Sequence, residues 1–255
     1  MKLKRLTALA PDFLQFCDLT AARTDARSRK IQHPIHEHWE GQVFRIDLMP
    51  EGEMARRIVK RSNSNPTGAV SSLRGDQQTD GESSHETNFM KLSDVQVGIG
   101  KFRSQPAIIH FELNGKRSIH FPDYFQTASQ QVFWEVKTVK EIRMQDIHAR
   151  TALMQRDLPK FGFQYRIALD EDLLAQPRLN NVLRLRRLAR RVQINQADFI
   201  RGCIKAQRDF VWRDIEAGLH APMTAAVACK LVTEGRMHFD LDAEWCSEAV
   251  FSFLD

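Results

Sequence analysis

The sequence has few cysteines, and they are widely scattered. Cys17, Cys203, Cys229 and Cys246 form no C-x-x-C spacing, which speaks against a zinc finger or a disulfide framework and suits a reducing compartment. No run of 18 or more apolar residues occurs, so no membrane-spanning helix is expected. The opening residues MKLKRLTALAPDF hold basic side chains but only a broken apolar stretch and no cleavage-site pattern, so no signal peptide is expected. What remains is ordinary for a folded protein: 42% hydrophobic and 27% charged over 255 residues, enough for one large or two modest domains. The net charge of +5 is compatible with a nucleic-acid partner.

The most informative stretch runs from Ser118 to Val139 and predicts two β-strands joined by a polar turn. Ile119, Phe121, Tyr124 and Phe125 supply β-formers to the first strand, and Val132, Phe133, Trp134, Val136 and Val139 to the second. Pro122 inside the first run implies an edge position or a kink. Asp123 follows it directly. In the second strand Glu135 and Lys137 are two residues apart, so strand alternation turns both to one face. Two carboxylates and a lysine on adjacent strands suit metal-assisted phosphodiester hydrolysis, in which the carboxylates hold a divalent cation and the lysine orients water or offsets charge on the phosphate. The alternative is a solvated face on which Glu135 and Lys137 are mere neighbours.

The surroundings are read in chain order. Near the N-terminus His33, His36 and His38 flank Glu37, a conceivable metal site but more simply a histidine-rich surface segment. Arg56, Arg57, Lys60 and Arg61 form a basic run that suits either phosphate contact or a solvated face. Residues 62–81 read as a loop. Glu82 to Ser93 predicts a helix in which Ser83 and Glu86 have capping-box spacing; Glu86 is thus either a cap or a further carboxylate facing the sheet, and spacing favours the cap. Pro106 to Leu113, the hairpin signal Asn114-Gly115, Lys116 to Phe125 and Val132 to Val139 predict a three-strand meander. A helix over Lys140 to Lys160, stopped by Gly162, and a strand over Phe163 to Leu169 complete an α/β unit. Beyond Pro177 three helices are expected, the second from Asn195 to about Leu219 and the third from Met223 to Glu234, followed by a short strand or wing at M-H-F-D-L-D. Arg184, Arg187 and Arg191 recur at helical spacing along the first of them.

The ordered set of motifs resembles the TnsA-type endonucleases, the nuclease subunits of heteromeric cut-and-paste transposases within the restriction-endonuclease-like superfamily. R-R-I-V-K-R-S…T-G-A-V-S-S-L at 56–73 is similar to the family's lead-in, E-S-S-H-E at 82–86 to its first helix, and Gln105-Pro106 to the dipeptide before its first strand. H-F-P-D-Y with W-E-V-K resembles its catalytic pair, and G-F-Q-Y, P-R-L-N and L-V-T-E-G-R-M-H-F-D-L-D continue the likeness to about residue 245. The resemblance implies a restriction-endonuclease-like mixed sheet flanked by helices over residues 56–175. A smaller, mostly helical, winged-helix-like domain over 176–255 follows it, and residues 1–55 form an extension of unassigned role. It implies Glu86, Asp123, Glu135 and Lys137 as catalytic residues, now assigning Glu86 to the site. The expected Mg²⁺ ligands are Glu86, Asp123, Glu135 and the carbonyl of Val136, with Mn²⁺ able to substitute. Arg56, Arg57, Lys60, Arg61, Arg184, Arg187 and Arg191 are expected to contact DNA or a partner protein. The implied substrate is double-stranded DNA at transposon ends, and the implied partners are an integrase-type transposase and an ATP-dependent transposition regulator, in the bacterial cytosol and without a membrane. Two departures stand out: His85 replaces a common aliphatic residue and Tyr124 a common Phe. A stand-alone restriction or junction-resolving nuclease, or a non-catalytic DNA-binding assembly subunit, are the alternatives.

Overall fold

The structure is a computed structural model that describes residues 40–56, 68–73, 78–96, 101–127, 131–190, 192, 202 and 208–254. It is a mixed α/β protein with several sheets. In chain order its strands are β1 (Gly41–Leu48), β2 (Gly68–Ser71), β3 (Gln78–Gly81), β4 (Lys101–Ser104), β5 (Ala107–Leu113), β6 (Lys116–His120), β7 (Tyr124–Thr127), β8 (Gln131–Lys137), β9 (Gln164–Leu169), β10 (Asp209–Val211), β11 (Met237–His238) and β12 (Val250–Phe253). The helices are α1 (Ser84–Val95), α2 (Val139–Ile142), α3 (Gln145–Asp157), α4 (Asp170–Leu173), α5 (Arg178–Ala189), α6 (Trp212–Glu216) and α7 (Ala225–Thr233), with a 3₁₀ turn at Leu158–Phe161.

The strand expected from Lys116 to Phe125 is two strands in two sheets. β6 pairs with β5 in an antiparallel sheet ordered β1-β5-β6, whereas β7 lies between β4 and β8 in a sheet ordered β4-β7-β8-β9. Proline has no N–H to give a ladder, and the chain changes sheets across Phe121, Pro122 and Asp123. Asp123 therefore stands in the crossover rather than on a strand. A second crossover runs beside it, because β4 belongs to the central sheet and β5 to the outer one. Between them Gln105 adopts φ 45°, a left-handed conformation costing on the order of 1–3 kcal/mol for such a residue. Gln105 N–H donates to the Asp123 carbonyl at 2.9 Å and links the two crossovers. The expected β5–β6 hairpin is present, with Asn114 at φ 51° and Gly115 at φ 75°, the two positive values a type I′ turn needs.

Alternation along β7 and β8 divides the core between two faces. Tyr124, Val132, Trp134 and Val136 meet Phe89 and Leu92 of α1 and Leu179 and Val182 of α5. Phe125 and Phe133 face the other way, toward Ile142, Leu153, Met154 and Leu158 and toward Val43, Ile109 and Phe111 of the outer sheet. With both faces covered, β8 is a nearly continuous apolar run, as buried strands are. The helix expected over Lys140 to Lys160 is broken at Arg143 and Met144: the capping box of Thr138 and Glu141 opens a first turn, α2, which ends at Ile142 before α3 begins. Gly162 at φ 85° ends the 3₁₀ turn.

β1 corrects the expected boundary at residue 55, because Gly41–Leu48 pairs along the length of β5. Asp157, 1% exposed, holds it in place. Its carboxylate accepts the Val43 N–H at 2.9 Å and pairs with Arg156 at 2.8 Å and Lys160 at 2.7 Å. Burial pushes its pKa up, but the bonds from Arg156, Lys160 and Val43 win and hold it down at about 2. A depressed carboxylate contributes stability above its unfolded pKa and loses it as pH falls through the folded value. Asp157→Asn is therefore expected to lower urea-unfolding stability at pH 7 by roughly 2 kcal/mol. The gap to wild type should close as pH is taken from about 4 toward 2; a pH-independent gap would contradict it.

α5 joins two cores. Leu179 and Val182 pack with α1, while Leu185 and Ala189 join Phe210, Trp212, Met223, Leu231, Trp245 and Phe251 in the C-terminal core. Arg186 of α5, buried, pairs with Asp94 at the end of α1 and donates to the Ser71 carbonyl at 2.8 Å. The helix expected from Asn195 to about Leu219 does not extend so far, since Asp209–Val211 is a strand in a small sheet ordered β10-β12-β11. Short alternating segments such as D-F-V and V-F-S-F pair here because each can bury only one face. Among the described residues no helix is long and apolar enough to cross a membrane.

Candidate active site

Asp123, Glu135 and Lys137 meet at the C-terminal end of β8. The β7–β8 ladder stops at Tyr124 and Trp134, so the N–H of Val136 has no strand partner from Pro122. The Asp123 carboxylate takes that N–H at 2.8 Å, which fixes the acid against β8. Glu135, 3% exposed, pairs with Lys137 Nζ at 2.8 Å, His120 Nε2 at 3.2 Å and Arg150 at 3.4 Å. His120 Nε2 also lies 3.0 Å from the Tyr165 hydroxyl, and Lys137 Nζ donates to the Val136 carbonyl at 3.2 Å. Glu86 stands in the first turn of α1, capped by Ser83. One of its oxygens accepts the Glu82 N–H and the other the Ser83 hydroxyl, each at 3.0 Å. The Ser83 half of the expected capping box is formed, since Ser83 Oγ accepts the Glu86 N–H. The Glu86 carboxylate, however, takes the Glu82 N–H and the Ser83 hydroxyl rather than the Ser83 N–H, and Glu86 acts on the site through its charge.

That charge is felt at Asp123. Burial, then the negative charges of Glu135 and Glu86, push the Asp123 pKa well above the usual carboxylate range against the pull of Lys137. Glu86 is raised as well, by burial first and then by Glu82. Glu135 goes the opposite way: burial alone would raise it, but His120, Lys137 and Arg150 together hold it ionised below its ordinary value. Burial would likewise lower Lys137, yet Glu135 and Asp123 keep its ammonium above the usual range. The four residues singled out from the sequence therefore share one electrostatic site.

Among the described residues no group of three His, Cys, Asp or Glu side chains is placed to hold a metal ion by itself. A two-carboxylate site does fit. Asp123 sits in surplus negative potential that a cation would relieve, and Glu135 Oε2 meets only His120 Nε2 at 3.2 Å among the ion pairs of Glu135, Lys137 and Arg150 both taking Oε1. Mg²⁺ keeps several waters and needs few protein ligands, so Asp123, Glu135 and the Val136 carbonyl between them suffice as donors. No family model matches this chain, and no curated protein does.

The basic residues divide. Arg56 pairs with Glu82 at 2.6 Å and lies over the Phe121 ring at the edge of the site. Arg187 is exposed on α5. Arg184 is not displayed beside it: its guanidinium stacks on Trp212 and Trp245, 5.1 and 4.4 Å from the ring centres, within the C-terminal unit. Arg190 is exposed instead, and Lys91 of α1, its pKa lowered by burial and by Arg186 and Arg190, lies in the same positive field. Arg57, Lys60, Arg61 and Arg191, with His33, His36 and His38, lie outside the described residues.

Sequence reasoning missed His120, Arg150 and Tyr165. A signal for His120 existed, since it closes a strand three residues before Asp123. Nothing in one dimension ties Arg150, on the far side of α2, to Glu135.

Proposed function

We propose that the chain is a metal-dependent DNA endonuclease. In this reading residues 41–173 are a restriction-endonuclease-like core, and the C-terminal unit is a winged-helix-like appendage. The observation that carries it is the convergence of Asp123, Glu135 and Lys137, from a crossover and a buried strand, with the charge of Glu86 from α1. A bound Mg²⁺ or Mn²⁺ would supply Lewis acidity toward the phosphate and a more acidic water. Asp123 and Glu135 bind, Glu86 supports through its charge, and Lys137 places a cation where negative charge grows. The substrate is double-stranded DNA, at the ends of a transposon if the sequence resemblance extends to biology, with an integrase-type transposase and an ATP-dependent regulator as partners.

One observation favours a second reading, a DNA-binding assembly subunit without turnover: Glu135 is already matched by three positively charged or protonatable neighbours, Lys137, His120 and Arg150. Calorimetric titration with Mn²⁺ separates the two. Wild type is expected to bind and Asp123→Ala to bind at least about tenfold more weakly, since one of few protein ligands is lost. Identical curves for the two proteins would remove Asp123 from the metal site, and no binding to wild type would favour the second reading.

A further inference from the structure

Gln105 combines two unfavourable features at one position. Its backbone is left-handed, at φ 45°, immediately before Pro106. Its side chain is 1% exposed, and the amide oxygen is buried without a hydrogen-bond partner. Glycine would remove both features, because it adopts positive φ without strain and carries no amide. Strain of this kind gathers where function holds the chain in place, and buried unsatisfied polar atoms call for an explanation.

The hydrogen bonds around Gln105 point to that function. Its N–H donates to the Asp123 carbonyl and its own carbonyl accepts the Ala55 N–H, each at 2.9 Å; the next carbonyl, of Pro106, accepts the Met49 N–H at 2.9 Å. Gln105 thus binds the crossover that carries Asp123 to the β4–β5 crossover and to the segment after β1. Downstream, Asp123 uses its carboxylate to take the Val136 N–H. We propose that Gln105 is the positioning residue of the site: its left-handed turn and buried side chain fix the Asp123 backbone so that the carboxylate caps β8 beside Glu135. Its functional consequence rests on the nuclease reading, but its geometry can be tested without it.

The first readout is amide hydrogen exchange in the full chain. The Val136 N–H reports the Asp123 carboxylate, and the Val43 N–H, held by the Asp157 carboxylate at 2.9 Å on the opposite side of the central sheet, is a matched control. Gln105→Gly, which keeps the N–H and tolerates the turn, is expected to speed exchange at Val136 about tenfold and leave Val43 unchanged. Gln105→Asn tolerates the turn and retains a buried amide, and it is expected to stay near wild type at both. The second readout is Mn²⁺ affinity, expected to weaken about tenfold in the glycine variant and little in the asparagine variant, the lower end of what loss of an outer support costs a metal site. Unchanged exchange at Val136 in Gln105→Gly, equal acceleration at Val136 and Val43, or an asparagine variant as loose as the glycine one would each overturn the proposal. If wild type binds no Mn²⁺, the nuclease reading fails, and the exchange contrast alone still decides the role of Gln105.

Discussion

Lys137→Ala is expected to abolish DNA strand cleavage and leave the fold in place. Hydrolysis of a phosphodiester builds negative charge on the phosphate, and in the proposed endonuclease site a preorganised cation is worth far more there than in water. Loss of one such group costs on the order of 10² or more in rate. The fold survives because Lys137 is 16% exposed at the mouth of the site and Glu135 keeps His120 and Arg150 after it is gone. The proposed metal binding is expected to persist or tighten, since a positive charge is removed beside the carboxylates. The assay uses end-labelled transposon-end DNA, the candidate transposase and Mg²⁺, with each strand scored separately. Loss of one strand's cut with the other retained fits a division of labour between two nucleases. Wild-type cutting of both strands would show that Lys137 does no chemistry.

The largest effect on stability is expected at Asp94. Its carboxylate is nearly fully buried, pairs with Arg186 and accepts the Ser72 hydroxyl at 2.7 Å and the Leu73 N–H at 2.9 Å. Removing it leaves the Arg186 guanidinium buried beside the positive charge of Arg190, in surroundings that already lower its pKa through burial. Breaking such a pair from one side costs about 3–5 kcal/mol, whereas replacing both members by apolar residues of similar size is often close to neutral. Asp94→Ala should lose that much in urea unfolding, and Asp94→Leu with Arg186→Met should recover most of it. A single-variant loss below about 1 kcal/mol would mean that the pair is solvated in practice.

The sequence was most legible where local chemistry decides structure. The Asn114-Gly115 turn, the Ser83–Glu86 cap, the β8 strand with Glu135 and Lys137 on one face, and the Gly162 stop all follow from short-range sterics and hydrogen bonds. Partners distant in sequence were not legible. Pro122 announced a kink, but not that the chain passes there from one sheet to another, because sheet membership depends on pairing with β4 and β5. Arg184 lay on the expected helix, but its partners Trp212 and Trp245 come from later in the chain. β10 was hidden within a stretch whose basic, helix-favouring composition continues up to Arg208. Asp123, Glu135 and Lys137 could be singled out in the sequence; the ion-pair shell around Glu135 could not, since no spacing rule connects β6, β8 and α3.

The packing behind the site has a spectroscopic consequence. The chain has two tyrosines, Tyr124 and Tyr165, and both are buried against the site carboxylates. Tyr124 feels the charge of Glu86, and Tyr165 sits behind His120 and feels Glu135. Fluorotyrosine incorporated throughout the protein would therefore give two fluorine resonances, one for each side of the site and none from elsewhere. A cation or substrate reaching the carboxylates would shift these lines, and an ion held at a remote surface would leave them still. Uniform labelling becomes site-specific labelling without any engineered residue.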